Sequence, residues 1–332
     1  MISAADFLAL PFTPDLAAGG LTYALRVLPH LQPHAGTSPA NRLRQRAAGA
    51  SVELAFRRHL TQMGIPFAVR EAAPFSDPER YDVSLGGRRC NIKSFLISRR
   101  DQITRLRSDP GALLQAPALV PSDRHAAEGQ APHDLYLFAF VQALTAPSLR
   151  ETHRALKSGQ PAHLVFCMSP AWARPRGWNP LGPLALKSEC SKPISLLLFG
   201  QDAAHDPLTC RVDLLPRTRV VAGEGFHSLS ALQADTPPDG RVGVHSPVAG
   251  ETCLVQPHQW ENIHLYGMGI LLVGYITRAE FSEKAAPLPP GERVFQFRRT
   301  QSKNLAVPVG ALHPLSELFA GARDWYALHA SR

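Results

Sequence analysis

Asp82, Asn91 and Lys93 stand in the stretch YDVSLGGRRCNIKSF, residues 81 to 95. Two short strand-forming runs flank a pair of glycines, and a two-residue Gly-Gly loop suits the primed turns of tight hairpins, whose central residues need positive φ. With Gly86 and Gly87 as the loop, Leu85 opposes Arg88, Ser84 opposes Arg89, Val83 opposes Cys90 and Asp82 opposes Asn91. Opposed residues point to the same side of the sheet, with Cβ atoms about 4.5–5.5 Å apart. One face then carries Asp82, Ser84, Arg89, Asn91 and Lys93. The other carries Val83, Leu85, Arg88, Cys90 and Ile92, apolar except beside the turn. Such a hairpin is expected to pack its apolar face on the core and leave the polar face open.

Those residue types suit a particular chemistry. An aspartate and an asparagine across a strand pair can offer oxygens to one divalent ion, and Mg²⁺ takes hard oxygen ligands at about 2.1 Å. Lys93, two residues along, can set an ammonium beside that ion, where it would stabilise charge on a phosphate or orient an attacking water. Glu53, on a helical stretch upstream, can contribute a further carboxylate. A metal site with a lysine inside a basic surface fits hydrolysis of a phosphodiester.

The surface is indeed basic there. The chain of 332 residues carries a formal net charge of +8. Between Arg42 and Arg107 lie 14 Lys or Arg against 6 Asp or Glu, so this fifth of the chain holds the whole excess and the remainder sums to zero. A concentrated basic region is the electrostatic footprint of a phosphate-backbone ligand. Arg89 shares the polar face, and Arg99, Arg100, Arg105 and Arg107 follow Lys93 closely; as a group they are candidates to track a nucleic-acid backbone.

The elements that must position these residues are legible in outline. Residues 1–39 are punctuated by Pro and Gly and read as an arm or irregular cap. From Ala40, Val52, Ala55, Phe56, His59, Leu60 and Met63 recur at helical spacing, and Gly64 supplies a stop. IPFAVRE, RYDVSL and RRCNIKSFLI read as three strands, followed by a basic segment entering a short helix and a loop-like stretch over 109–134. DLYLFAFVQAL from Asp134 is a buried strand, PSLRETHRALKSG a helix and PAHLVFCMS another strand. Beyond about Pro180, short β-type runs broken by Pro and Gly, RVFQFRRT among them, predict a β-rich region. IHLYGMGILLVGYIT, from Ile263, reads as a buried strand pair, being at about 15 residues too short for a membrane span. The N-terminus lacks basic residues before its apolar run and is a poor secretory signal. Five widely spaced cysteines suggest neither a zinc site nor a disulfide framework. The expectation is a cytoplasmic protein with no membrane partner.

Glu53 on a helix, then Asp82, then Asn91-Ile92-Lys93 at a strand end, resembles the PD-(D/E)xK nuclease superfamily, the restriction-endonuclease-like fold of restriction, repair and anti-phage effector nucleases. The resemblance covers roughly residues 40–170. It implies an α/β fold, a mixed sheet flanked by helices, with Asp82 as principal metal ligand, Lys93 as catalytic lysine and Glu53 as accessory acid. Asn91 stands where the family has its middle acid, and Tyr81 precedes Asp82 where the family has proline. The implied function is a Mg²⁺- or Mn²⁺-dependent endonuclease acting on DNA in preference to RNA, in a restriction or anti-phage setting. Such nucleases are often activated by a protein partner, some being associated with Argonaute proteins, or act as homo-oligomers. The corresponding division is an arm or cap over 1–39, a nuclease domain over 40–180 and a β-rich domain over 181–332 for substrate, partner or oligomer contacts. The neutral Asn91 supports an alternative, a catalytically weakened nucleic-acid-binding subunit of a larger complex.

Other candidates carry less. Asp77 and Glu79 fit turn chemistry around Asp-Pro. His258 and His264 are too far apart for one helical face and lack a carboxylate at metal-motif spacing. Trp260, Tyr266 and Tyr275 read as core aromatics. No G-x-S-x-G, P-loop or G-x-G-x-x-G pattern occurs.

Overall fold

The structure is a computed structural model that describes residues 2–30, 38–69, 82–127, 131–146, 148–174, 180–263 and 265–330. Asp77, Glu79, Tyr81 and His264 lie outside the described residues. The chain is mixed α/β and divides by contact into two units. One comprises Met1–Ala17, Ala48–Leu144 and Gly267–Arg332; the other comprises Ala18–Ala47 and Thr145–Tyr266. The sequence suggests a boundary near residue 180, whereas the contacts interleave the two units along the chain.

Strand β1 (Leu8–Leu10) belongs to the first unit, helix α1 (Pro14–Val27) mostly to the second, and helix α2 (Pro39–Gln62) begins among residues of the second and ends among those of the first. The stretch expected to be an irregular arm therefore holds both a strand and a helix. Its punctuation reflects α1 starting at Pro14, a residue tolerated in a first helical turn. Helix α2 ends where Gly64 adopts φ +62°, the left-handed conformation that glycine takes without steric cost. The expected hairpin follows as β2 (Val83–Leu85) and β3 (Arg88–Ile97). Gly86 and Gly87 form its turn at φ +54° and +79°. The register is Val83↔Cys90, Ser84↔Arg89 and Leu85↔Arg88, as the two-residue loop dictates. Of the strand expected over IPFAVRE, the described residues show one bridge, between Ala68 and Ser84.

Helix α3 (Arg100–Ser108) is the short helix expected after the basic segment, while strand β4 (Pro117–Pro121) and helix α4 (Ser122–Ala127) occupy the stretch that reads as loop. They lead into β5 (Leu135–Thr145), which pairs with β3 in parallel. Parallel strands need a long crossover connection, and both of their faces are normally covered. The run LYLFAFVQA is accordingly buried along its whole length. The sheet order is β1, the long strand Leu265–Thr277, β5, β3, β2. Leu265–Thr277 is a single strand rather than the expected pair. Gly267 marks a close backbone approach and not a turn, since a Cβ there would lie 2.3 Å from the Phe12 carbonyl oxygen.

Against this sheet pack the helix Arg278–Lys284 and a three-stranded sheet of Ala286–Leu288, Asn304–Pro308 and β4. Phe95, Tyr136, Phe138, Phe140 and Phe281 belong to the core they share. Burying each such aromatic side chain contributes roughly 1.5–3 kcal/mol. RVFQFRRT, which alternates like a strand, forms turns instead. The chain closes with the helix Leu315–Ala330, whose Phe319 stacks on Phe56 of α2.

The second unit is β-rich. Leu149–Lys157 is the helix and Leu164–Cys167 the strand that their sequences predict. Two antiparallel sheets build the rest. One runs Arg219–Phe226, Gly182–Ser188, Val242–Ser246, Glu251–Val255; the other runs Glu261–Asn262, Leu164–Cys167, Ser228–Ala234, Ile194–Gln201, Pro207–Leu214. All five cysteines are free thiols. Among the described residues no helix is long and apolar enough to cross a membrane.

Candidate active site

The hairpin places Asp82, Asn91 and Lys93 together, but the surroundings differ from the expected open face. Asp82 directly precedes β2. Its N–H donates to the Cys90 carbonyl at 3.1 Å, and its carboxylate Oδ2 accepts the Ile92 N–H at 2.6 Å. The carboxylate thus takes the place of a strand partner where β2 has run out, alongside the main chain between Asn91 and Lys93. A hydrogen bond to a charged group is worth about 1.5–3 kcal/mol, so the bond fixes Asp82 firmly while leaving its second oxygen for other work.

Asn91 is 6% exposed, and its amide Nδ2 is buried without a hydrogen-bond partner. The polar face is covered here because it is also the face on which β5 presents its aromatics. In the parallel register Asn91 lies beside Tyr136, and Lys93 beside Phe138. Tyr136 and Phe138 are fully buried against Phe281. The Lys93 Nζ sits 5.3 Å from the centroid of the Tyr136 ring, within the range in which an aromatic face attracts a cation. The Tyr136 hydroxyl in turn contacts His125 Nδ1 at 3.0 Å, and His125 Nε2 contacts the Ser282 hydroxyl at 3.2 Å.

Glu53 arrives from the other side. A Cβ built on Gly49 of α2 would lie 3.2 Å from the Ser94 hydroxyl. Side chains alternate along a strand, so α2 covers the face of β3 opposite to Asn91 and Lys93. From there Glu53 pairs with Arg57 at 3.6 Å, and the Arg57 guanidinium donates to the Asp82 carbonyl at 2.8 Å. Glu53 is therefore connected to Asp82 through Arg57. Burial pushes the Cys90 thiol, which lies within the fields of both Asp82 and Lys93, far up from its ordinary value. Cys90 is accordingly an inert core thiol.

Behind the turn, Asp134 is 2% exposed and its two oxygens accept the Arg89 N–H at 2.9 Å and the Ala131 N–H at 2.7 Å. It ties the start of β5 to the hairpin. Arg100, Arg105 and Arg107 are exposed on or at the ends of α3, and Arg99 donates to Gln102 at 2.8 Å. Sequence reasoning passed over Arg57, Tyr136, His125 and Asp134. Arg57 alone had a local signal, its position four residues after Glu53 on a helix.

No protein-family model, curated protein or solved structure matches this chain.

Among the described residues no group of three or more His, Cys, Asp or Glu converges on a metal position. The hairpin offers a smaller donor set: the free oxygen of Asp82 and the Asn91 amide. Carboxamide oxygen and nitrogen are assigned from the hydrogen-bond network, and an unpartnered buried Nδ2 marks a place where the opposite orientation would present an oxygen. That set fits a hard cation of the Mg²⁺ type, which keeps several waters and takes one or two carboxylates.

Proposed function

We propose that this chain is a phosphodiesterase of the endonuclease type acting on DNA, with Asp82, Asn91 and Lys93 at its centre and Glu53 as accessory acid. The observation that carries the reading is the Asp82–Ile92 bond. It pins a carboxylate at the strand end between a buried amide and a lysine, and the parallel β3–β5 pair supports all three residues. This is the arrangement that the resemblance to the PD-(D/E)xK superfamily implies, and a restriction-endonuclease-like topology for the first unit forms part of the proposal.

Each residue has a defined task. Asp82 and Asn91 would hold Mg²⁺ or Mn²⁺, while Glu53 would orient Arg57, which holds the Asp82 main chain. The metal, when bound, would lower the pKa of a bound water and neutralise phosphate charge. Lys93, steadied over the Tyr136 ring, donates to the non-bridging oxygens as negative charge builds in the transition state. Arg89, Arg99, Arg100, Arg105 and Arg107 position the backbone without reading sequence. A restriction or anti-phage setting, with activation by a protein partner, is what the resemblance adds.

The test is conversion of supercoiled plasmid with Mg²⁺, Mn²⁺ or EDTA by the wild type, Asp82→Ala and Lys93→Ala. Metal-dependent cutting lost in both variants supports the reading. Cutting that survives both substitutions overturns it. Duplex binding without cutting in any metal favours the nucleic-acid-binding subunit, for which the neutral, buried Asn91 speaks.

A further inference from the structure

A second concentration of positive charge lies outside the basic fifth of the chain. Residues 289–300 fold back on themselves in the first unit. Gly291 N–H donates to the Thr300 carbonyl at 2.8 Å, Thr300 N–H to the Glu292 carbonyl at 2.9 Å and Val294 N–H to the Phe297 carbonyl at 3.1 Å. The Thr300 hydroxyl donates to the Pro289 carbonyl at 2.8 Å. Three further groups moor this loop to the sheets. Phe295 packs on Phe140 and Phe297 on Phe95, with ring centroids 6.4 and 6.0 Å apart. Gln296 donates from Nε2 to the Pro117 carbonyl at 2.7 Å. The Gln102 amide of α3 donates to the Phe295 carbonyl, joining the loop to the helix that Arg99 caps.

With its aromatics turned inward, the loop turns its charges outward. Arg293, Arg298 and Arg299 are exposed. Together with Arg99 they line a cleft of about 680 Å³, to which Glu292 contributes the one carboxylate. Among the described residues Arg293, Arg298 and Arg299 make no ion pair or side-chain hydrogen bond, and Arg99 uses only its Nε, on Gln102. Four guanidiniums against one carboxylate, three on the braced loop and one at the start of α3, repel one another unless an anion joins them. Guanidiniums suit phosphate oxygens, which they can grip with two parallel N–H donors. Arg99 follows Lys93 by six residues along an extended strand and its end, about 20 Å at 3.3 Å per residue. That is roughly six nucleotides of one duplex strand at 3.4 Å each.

We propose that the Arg99–Arg293–Arg298–Arg299 cleft grips backbone phosphates of the nucleic-acid substrate about half a helical turn from the scissile bond. The inference rests on the nuclease reading of the hairpin and adds a second anchoring point to it.

The experiment is duplex binding in EDTA by the full chain, read by fluorescence anisotropy. The probe is a labelled random duplex of roughly 30 base pairs, over about 50 to 250 mM NaCl. The variants are Arg298→Gln with Arg299→Gln and a charge-matched control, Lys192→Gln with Arg219→Gln, two exposed residues of the second unit. Loss of two phosphate contacts is expected to make the log–log salt slope shallower by about 2 and to weaken binding roughly fiftyfold near 100 mM. The control stays within about twofold. An unchanged slope in the Arg298/Arg299 variant, or an equal loss in the control, overturns the inference. Plasmid cutting by the wild type then shows whether the nuclease reading still stands. Inorganic tripolyphosphate binding to the cleft with no duplex binding at all also overturns it.

Discussion

The Asp82 carboxylate and the Ile92 N–H meet at 2.6 Å, so one side chain both ends a strand and presents a charge. The two roles separate by substitution. Asp82→Ala is expected to abolish cleavage and to cost about 1.5–3 kcal/mol of stability, because the Ile92 donor loses a charged partner. Asp82→Asn keeps an acceptor and recovers much of that stability, yet it stays inactive. Urea denaturation alongside plasmid cleavage reads both effects. Equal stability losses in the two variants would remove the structural role.

Asp134 has no chemistry assigned to it but holds more of the fold. Its two oxygens satisfy the Arg89 and Ala131 main-chain donors in a site that is 2% exposed. Asp134→Ala leaves both donors buried without a partner, at a cost of about 3 kcal/mol or more. The expected outcome is a larger drop in the denaturation midpoint than for Asp82→Ala, with duplex affinity unchanged in whatever fraction folds.

Gly86 is required twice over. Its φ is +54°, and a Cβ there would lie 2.4 Å from the Trp325 Cβ and 2.8 Å from the Trp325 main chain. Gly64 has a similar φ of +62° but open space around it. Gly64→Ala should therefore cost only the backbone strain of about 1 kcal/mol, and Gly86→Ala distinctly more, since helix and hairpin must part. Thermal melts of the two variants side by side measure the difference. Equal shifts would mean that the turn and the Leu315–Ala330 helix are not in contact.

Acid should weaken the protein through its buried imidazoles. Burial holds His163 below its ordinary 6.5, and the same cause acts on His59. The fold disfavours the charged form of each, so the unfolded chain takes up protons first as pH falls below about 6.5. Their contribution is complete above that value and declines through the window beneath it. Urea midpoints at about pH 7.5 and pH 5.5 should differ more for the wild type than for His163→Gln. An identical pH slope in the variant would exclude His163 as a cause.

The hairpin register could be read from the sequence because it is local: two glycines fix which residues face each other. The burial of Asn91 could not. What covers it is Tyr136 and Phe138 from β5 with Phe281 from a helix about 190 residues further on, and alternation along one strand carries no information about its distant neighbours. The side from which Glu53 approaches was hidden for a related reason. Helical spacing identifies α2, but the side of the sheet it covers is set by Gly49 against Ser94. RVFQFRRT misled because Phe295 and Phe297 alternate like strand residues while serving as plugs for a turn. A net charge of zero outside residues 42–107 likewise hid the arginines of that turn, since a regional sum is blind to local crowding.

The strand Leu265–Thr277 lies between β1 and β5 in space, yet every other strand of that sheet precedes it in the chain. During synthesis, at roughly 5–20 residues per second, β5 waits several seconds for its neighbour while the intervening unit is made. Over that interval the apolar run LYLFAFVQA has a bare edge, the kind of edge that recruits other chains. A ribosome that stops before Thr277 thus releases a product with the Asp82–Lys93 hairpin but no closed sheet behind it. Expression of residues 1–180 alone should give aggregates, and the whole sheet should gain protease resistance only once the last quarter of the chain has been translated.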